Sequence, residues 1–228
     1  NQMIKIPQGC VLWLDLTEDT GDIVYDHSGH GNNGKVYGAV LEKRLPFIGR
    51  KFDGINDYVE VKDSESLDIT DEITIVAWFK AVEYPAYRQY VVAKEYSYRF
   101  FIDDVGKIRF QLNLDGNWTY NWVISNTVIE LNKWIMIATT YSASTEQAII
   151  YLNGKMDASG NPEGVYITPN NKPLGIAQEI ESGTYFKGLI AHVSIYNRAL
   201  TAKEIKHLYE EFQKRVFRRI APLDIRMR

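Results

Sequence analysis

Trp118, Tyr120 and Trp122 recur at every second position. On an extended strand that spacing sets three rings on one face, about 7 Å apart. A flat row of rings suits a sugar, whose C–H face packs on aromatics while its hydroxyls need polar partners nearby. Arg109, Gln111 and Asn113 alternate in the same way on the preceding segment and are the candidate partners. Thr119 and Asn121 fall on the opposite face. The same three rings would also serve as half of a core. Val123 on the other face can itself be the buried side, so both readings stand. The run Tyr84, Tyr87, Tyr90, Tyr96 and Tyr98 adds aromatic surface around Pro85, and Tyr suits such half-wet positions.

Oxygen-rich turns come next. Asp26 precedes the loop Ser28 to Gly34, in which Gly29, Gly31 and Gly34 let the backbone turn sharply. Carbonyls beside a carboxylate are the hard ligands Ca²⁺ prefers, although Asp in a turn ordinarily accepts backbone hydrogen bonds. Asp53, Asn56 and Asp57 form a second cluster that reads as an Asx-type turn. His27 and His30 give only a His-x-x-His pair, with no further metal ligand standing out. Cys10 is the single cysteine, at the head of the apolar run Val11 to Leu14. A buried, inert thiol fits that place, and no intramolecular disulfide can form.

The elements that must position these residues are mostly strands. Ile108, Phe110, Leu112 and Leu114 alternate with Arg109, Gln111, Asn113 and Asp115, a half-buried antiparallel strand. Asp115-Gly116 then predicts a hairpin into a strand from Asn117 to Ser125. Segments 73–80 and 133–141 are apolar on both faces, as central strands of a two-layer sandwich are. Ala148 to Leu152 is closed by Asn153-Gly154, a strong hairpin dipeptide. Thr201-Ala202-Lys203-Glu204 is a capping box. It opens a helix over 202–213, with Ile205, Leu208, Tyr209 and Phe212 as one apolar stripe. That helix is expected against the sandwich near a sheet edge, where it would block strand addition. Residues 214–228 form a basic amphiphilic tail, in which Arg215, Phe217, Arg218, Arg219 and Ile220 are candidate subunit contacts.

Composition narrows the function. The 228 residues carry a net charge of −3 and 13% aromatics, so nothing global argues for nucleic acid. No apolar run is long enough to span a membrane, and Asn1-Gln2-Met3-Ile4-Lys5 lacks the apolar core of a signal peptide.

Three segments, in order, carry a family resemblance: Asp26 to Gly34, Phe52-Asp53-Gly54-Ile55-Asn56-Asp57-Tyr58-Val59-Glu60-Val61, and Gly188 to Thr201 running into the helix. Together they resemble the LamG-like jelly-roll domains of the concanavalin A-like lectin/glucanase superfamily, over residues 9–213. The resemblance implies an all-β, two-sheet antiparallel jelly roll comprising residues 1–213, with one C-terminal helix. It implies one structural Ca²⁺ held by Asp26 with Gly29, Gly31 and Asn32. The family's last motif carries an acidic pair where this chain has Ala191 and His192. Glucanases of this fold bear a Glu-x-Asp-x-x-Glu strand, because retaining hydrolysis needs carboxylates about 5 Å apart. Here Glu179-Ile180-Glu181 is followed by Ser182-Gly183 and the motif is absent, as is a Gly-x-Ser-x-Gly elbow.

The reading is a non-catalytic module that binds carbohydrate, a glycoprotein or another extracellular ligand. The alternative is a structural subunit of a virion or cell-surface assembly, in which the tail contacts other copies. Both place the chain outside the cell, on a cell surface or in a virion.

Overall fold

The structure, a computed structural model, describes residues 6–44, 47–118, 122–179 and 183–218. Among the described residues it is a sandwich of two large antiparallel sheets with one α-helix and a separate two-stranded hairpin. The first sheet runs Lys155–Gly160, Gln147–Leu152, Ile135–Ser142, Glu72–Ala81, Lys187–Tyr196, Phe47–Asp53, Val40–Arg44. The long strand Lys187–Tyr196 shares one edge between two partners: its first half pairs with Phe47–Asp53, and its second half with Cys10–Asp15. The second sheet runs Trp122–Val128, Lys107–Leu112, Tyr98–Asp103, Arg88–Lys94, Leu174–Ile176, Tyr58–Val61, Gly34–Tyr37, Ile23–Val24. These sheets and the helix agree with the expected jelly roll.

Alternation builds the core. Ile75, Ala77 and Phe79 of one sheet meet Phe100, Ile108, Phe110 and Leu112 of the other in one continuous apolar cluster. Asp115 (φ 50°) and Gly116 (φ 80°) are both left-handed, as are Asn153 (φ 50°) and Gly154 (φ 78°). That is the two-residue turn whose twist matches paired strands, and both dipeptides read as hairpins do turn the chain there. Where two sheet edges meet, Asp157 accepts from the backbone of Asn126 at 2.7 Å and of Thr127 at 3.2 Å, tying Lys155–Gly160 to Trp122–Val128.

The helix runs Ala202–Arg218, five residues past the expected 213. It lies against the edge strand Lys155–Gly160, as expected, and extends over the outer face of the first sheet. The cause is the two-sided apolar character of the central strands. Trp13, Val76, Trp78, Met136, Ala138, Tyr151 and Tyr196 point away from the core and need cover. Ile205, Leu208 and Phe212 supply it, and Phe212 stacks on Trp13 at 6.0 Å between centroids. His192 is buried in the same layer, 4.4 Å from the Trp13 ring and 4.5 Å from that of Phe212. The expected capping box forms: Glu204 N–H donates to Thr201 Oγ1 at 3.3 Å and Thr201 N–H to Glu204 Oε2 at 2.9 Å. Arg198 grips the same carboxylate with two bonds, of 3.0 and 2.6 Å.

Two outcomes follow. Leu208→Ala leaves a cavity under the helix and is expected to lower unfolding free energy by about 2–5 kcal/mol in denaturant titration. Arg198 holds the Glu204 carboxyl at a pKa of about 2, below its ordinary 4.5. The stability this gives is complete above about pH 4.5 and is lost as pH falls toward 2. Thermal melts across that window should show a smaller acid-induced drop for Glu204→Gln than for wild type.

Candidate binding face

With the first sheet roofed by the helix, the outer face of the second sheet is the one available for display. Its strands are in register across most of their width. One row reads Lys35, Glu60, Gly175, Ala93, Arg99, Gln111, Trp122, each paired with the next. Their neighbours along each strand, such as Val59, Leu174, Val92, Phe100, Phe110 and Val123, turn into the core. Period 2 therefore separates an apolar inner set from a charged and aromatic outer set.

Arg99 anchors the outer set. Only 5% of it is exposed. Its Nε donates to Gln111 Oε1 at 2.9 Å, and its guanidinium pairs with Glu179. The rings of Trp118, Tyr90 and Phe101 lie 4.3, 4.9 and 5.8 Å from its Cζ, within cation–π range. Burial, with a smaller push from Arg88, lowers its pKa to about 10, so the group stays charged at neutral pH. Glu179 reaches it because the short hairpin Gln178–Glu179 with Thr184–Tyr185 folds back against Arg88–Lys94, after a left-handed Ala177 (φ 65°).

Above Arg99 sits a pair of rings. Trp118 and Tyr96 have centroids 6.0 Å apart at 51°. Gln111 Nε2 donates to the Trp118 carbonyl at 2.8 Å, and Asn113 Nδ2 to the Tyr96 carbonyl at 2.8 Å. Thr168 Oγ1 donates to Asn113 Oδ1 at 3.3 Å. Tyr96 is held at φ 55°, uncommon for an aromatic residue, and is 46% exposed. Beside the pair, Arg109 Nε donates to Asp103 Oδ2 at 2.8 Å and its Cζ lies 5.3 Å from the Trp122 ring. Arg88 lies against the Tyr87 ring at 4.4 Å.

The predicted residues are thus brought to one face, with altered roles. Arg109, Gln111, Asn113, Trp118 and Trp122 cluster there; Tyr120 lies outside the described residues. The described strand is Trp122–Val128, where one from Asn117 to Ser125 was expected. Trp118 stands outside it, after the Asp115-Gly116 turn, which the bridge between Leu114 and Asn117 closes. Gln111 and Asn113 are buried, and their amides hold the backbone carbonyls of Trp118 and Tyr96. Sequence reasoning missed Arg99, and it weighed Glu179 only as an acid for hydrolysis, not as the partner of a buried guanidinium. A single arginine within the otherwise apolar Tyr98-Arg99-Phe100-Phe101-Ile102 was the one visible signal. In the tyrosine-rich run, Tyr98 is a core residue and Tyr90 is buried beside Arg99, while Tyr84, Tyr87 and Tyr96 are exposed.

The Asp26 loop has a different use. Asp26 Oδ1 accepts from the N–H groups of Trp13 and Ser28, both at 2.9 Å. Its Oδ2 accepts from Ser28 Oγ at 2.7 Å and Asn32 N–H at 2.9 Å. Asn32 turns its amide inward, to the Val11 carbonyl and Ser66 Oγ, both at 2.8 Å. Gly29 and Gly31 adopt φ 92° and 76°. A carboxylate already filled by N–H and O–H donors does not fit a cation, so this set reads as a strand-to-loop anchor. Asp53 likewise accepts from Ile55 and Asn56 N–H, closing an Asx turn. Ala191 and His192, at the family's acidic pair, belong to the apolar layer under the helix. Of the subunit-contact candidates, Arg215, Phe217 and Arg218 fall in the helix's last turn; Arg219 and Ile220 lie outside the described residues. Burial pushes the Cys10 thiol up to about 12, which is the inert state expected.

The two sheets and the helix define a jelly-roll sandwich with one face covered by the helix and the other carrying aromatic rings and guanidiniums. Residues 53–206 match the laminin G-type family model of the concanavalin A-like lectin/glucanases superfamily, and the chain belongs to that family. No curated protein matches the sequence. Among solved structures, the binding domain of Paraclostridial Mosquitocidal Protein 1 superposes with a TM-score of 0.72 at 18% identity, covering 90% of this chain and 52% of that one. The botulinum neurotoxin serotype G binding domain gives 0.69 at 19%, covering 89% and 51%. The chain thus spans about half the length of these toxin binding domains. Domain 4 of AbnA, an extracellular arabinanase from Geobacillus stearothermophilus solved with arabinotriose, gives 0.66 at 14%, covering 88% and 98%.

If Asp26 anchors the loop without a cation, melting temperature should be the same in Ca²⁺ and in chelator. A rise with Ca²⁺ would reveal a bound ion, since a ligand of the folded state stabilises it.

Proposed function

We propose that this chain is a non-catalytic, extracellular carbohydrate-binding module. Its binding surface is the Trp118 and Tyr96 ring pair on the outer face of the second sheet. The observation supporting the reading is that the Trp118 ring lies on the buried Arg99 guanidinium and packs against the Tyr96 ring, while buried amides of Gln111 and Asn113 fix the backbone carbonyls of both residues. Rings fixed before binding lose little freedom when a ligand stacks on them, which is how preorganisation raises affinity. Arg109 and Trp122 extend the surface along the neighbouring strands.

Two further points support it. The structures of similar fold include domains named for binding, and one was solved with an oligosaccharide. Glu179, the described member of the acidic pair considered for hydrolysis, is committed to Arg99; Glu181 lies outside the described residues. A carboxylate locked in a buried ion pair is poorly placed as a nucleophile or general acid. No helix among the described residues is long and apolar enough to cross a membrane.

Trp118→Ala should weaken binding to the best glycan on a broad array by at least about tenfold, roughly 1.4 kcal/mol. The variant should remain folded, with a modestly lowered melting temperature because Trp118 also covers the Arg99 guanidinium. Undiminished binding by the variant, or wild-type silence across the array, would contradict the assignment.

A further inference from the structure

Three arginines lie along the displayed face, and two of them have carboxylate partners. Arg99 is paired with Glu179, and Arg109 with Asp103. Arg88 differs. Among the described residues no carboxylate bonds it, and its one hydrogen bond runs from Nη1 to the Tyr90 hydroxyl at 3.3 Å. Asp103 stands opposite it in the strand register, but that carboxylate is filled. Oδ1 accepts from the N–H groups of Val105 and Lys107 at 3.2 and 2.8 Å, and Oδ2 from Arg109 Nε at 2.8 Å. The Arg88 guanidinium is nonetheless held in place. Its Cζ lies 4.4 Å from the Tyr87 ring and 5.0 Å from that of Phe101, within cation–π range. Arg88 is only partly buried, and Tyr87 is 65% exposed. None of the Arg88 nitrogens is among the sealed atoms that lack a partner, as the Arg50 Nε is. Its unspent N–H groups are therefore open to water and to a ligand.

Contacts already described connect this cation to the ring platform. The Phe101 ring is shared by the two guanidiniums, 5.0 Å from the Arg88 Cζ and 5.8 Å from the Arg99 Cζ, and the Trp118 ring is 4.3 Å from the latter. Their nearness also shows in the Arg99 pKa, which burial lowers first and the Arg88 charge lowers further. Arg109 pairs with Phe101, in the row between that of Arg99 and that of Arg88. Arg88 is thus within the span of a short oligosaccharide stacked on Trp118. A guanidinium packed on rings, with N–H groups to spare, suits a carboxylate, which can take two parallel bonds from it. Resting on the carbohydrate reading above, we infer that the ligand is a carboxylate-bearing oligosaccharide, with one sugar ring on Trp118 and its carboxylate on Arg88. The chain runs along the row of Arg109. Arg99 and Arg109, already neutralised by Glu179 and Asp103, hold the surface and do not read ligand charge.

The test begins with an array of sialylated and uronic-acid oligosaccharides beside their neutral counterparts, which shows which kind of sugar supplies the carboxylate. Calorimetric titration then compares the best acidic hit with its methyl ester. Wild type should bind the free acid about tenfold more tightly than the ester, the scale of a hydrogen-bonded charge. That advantage should shrink with added salt. Arg88→Gln should lose it, binding acid and ester alike. Arg88→Lys, which keeps the charge and loses the planar fork, should fall between the two, and it serves if the glutamine form fails to fold. Equal or better binding of the ester by wild type overturns the inference. So does an undiminished preference for the acid in the glutamine variant. Where Trp118→Ala still weakens binding in either case, the broader carbohydrate reading stands. Wild-type silence on every glycan overturns both.

Discussion

A guanidinium taken out of water on the outer side of a sheet is the constraint around which the displayed face is organised. Arg99 comes from an alternating strand whose inward residues fill the core, so period 2 alone forces it outward. Once there it is covered, and a covered charge must be matched at nearly every donor. Gln111 matches it from the adjacent strand, Glu179 from a hairpin that doubles back, and three aromatic rings fill the remaining surface. Breaking one partner of such a buried pair typically costs about 3–5 kcal/mol. The rings that read as a binding surface are therefore also part of the cover of a charge. Their positions are fixed by electrostatics as well as by packing.

The two outer faces of the sandwich have opposite fates for one reason. The first sheet's central strands are apolar on both sides, so its outer face must be roofed, and the amphipathic helix does it. The second sheet's outer face carries Lys35, Glu60, Arg99, Gln111 and Trp122 in one register row, and it is covered only in part by a short hairpin. The long strand Lys187–Tyr196 joins these arrangements: it carries His192 into the helix-covered layer and emerges at Arg198, which clamps the helix start through Glu204.

Local signals in the sequence read well. The strand at 107–112, the hairpins at Asp115-Gly116 and Asn153-Gly154, and the capping box at Thr201 all depend on neighbours a few residues apart, and each is visible as a pattern. The helix was legible as a helix but not as a roof, because its seat depends on Trp13, Val76 and Trp78, more than a hundred residues away. The binding face was half legible. Alternation set Arg109, Gln111 and Asn113 on one side. It could not show that two of them spend their amides on the backbone of Tyr96 and Trp118. The tie between Glu179 and Arg99 was invisible, since only the fold brings a distant hairpin to that guanidinium. The Asp26 loop shows the reverse: its composition suits Ca²⁺, yet the backbone N–H groups that fill its carboxylate leave no trace in composition.

The most direct measurement is a crystal structure of the chain with the best-binding oligosaccharide. The account predicts a sugar ring stacked on Trp118 beside Tyr96. A ligand seated at the Asp26 loop, or anywhere away from Arg99, would contradict it.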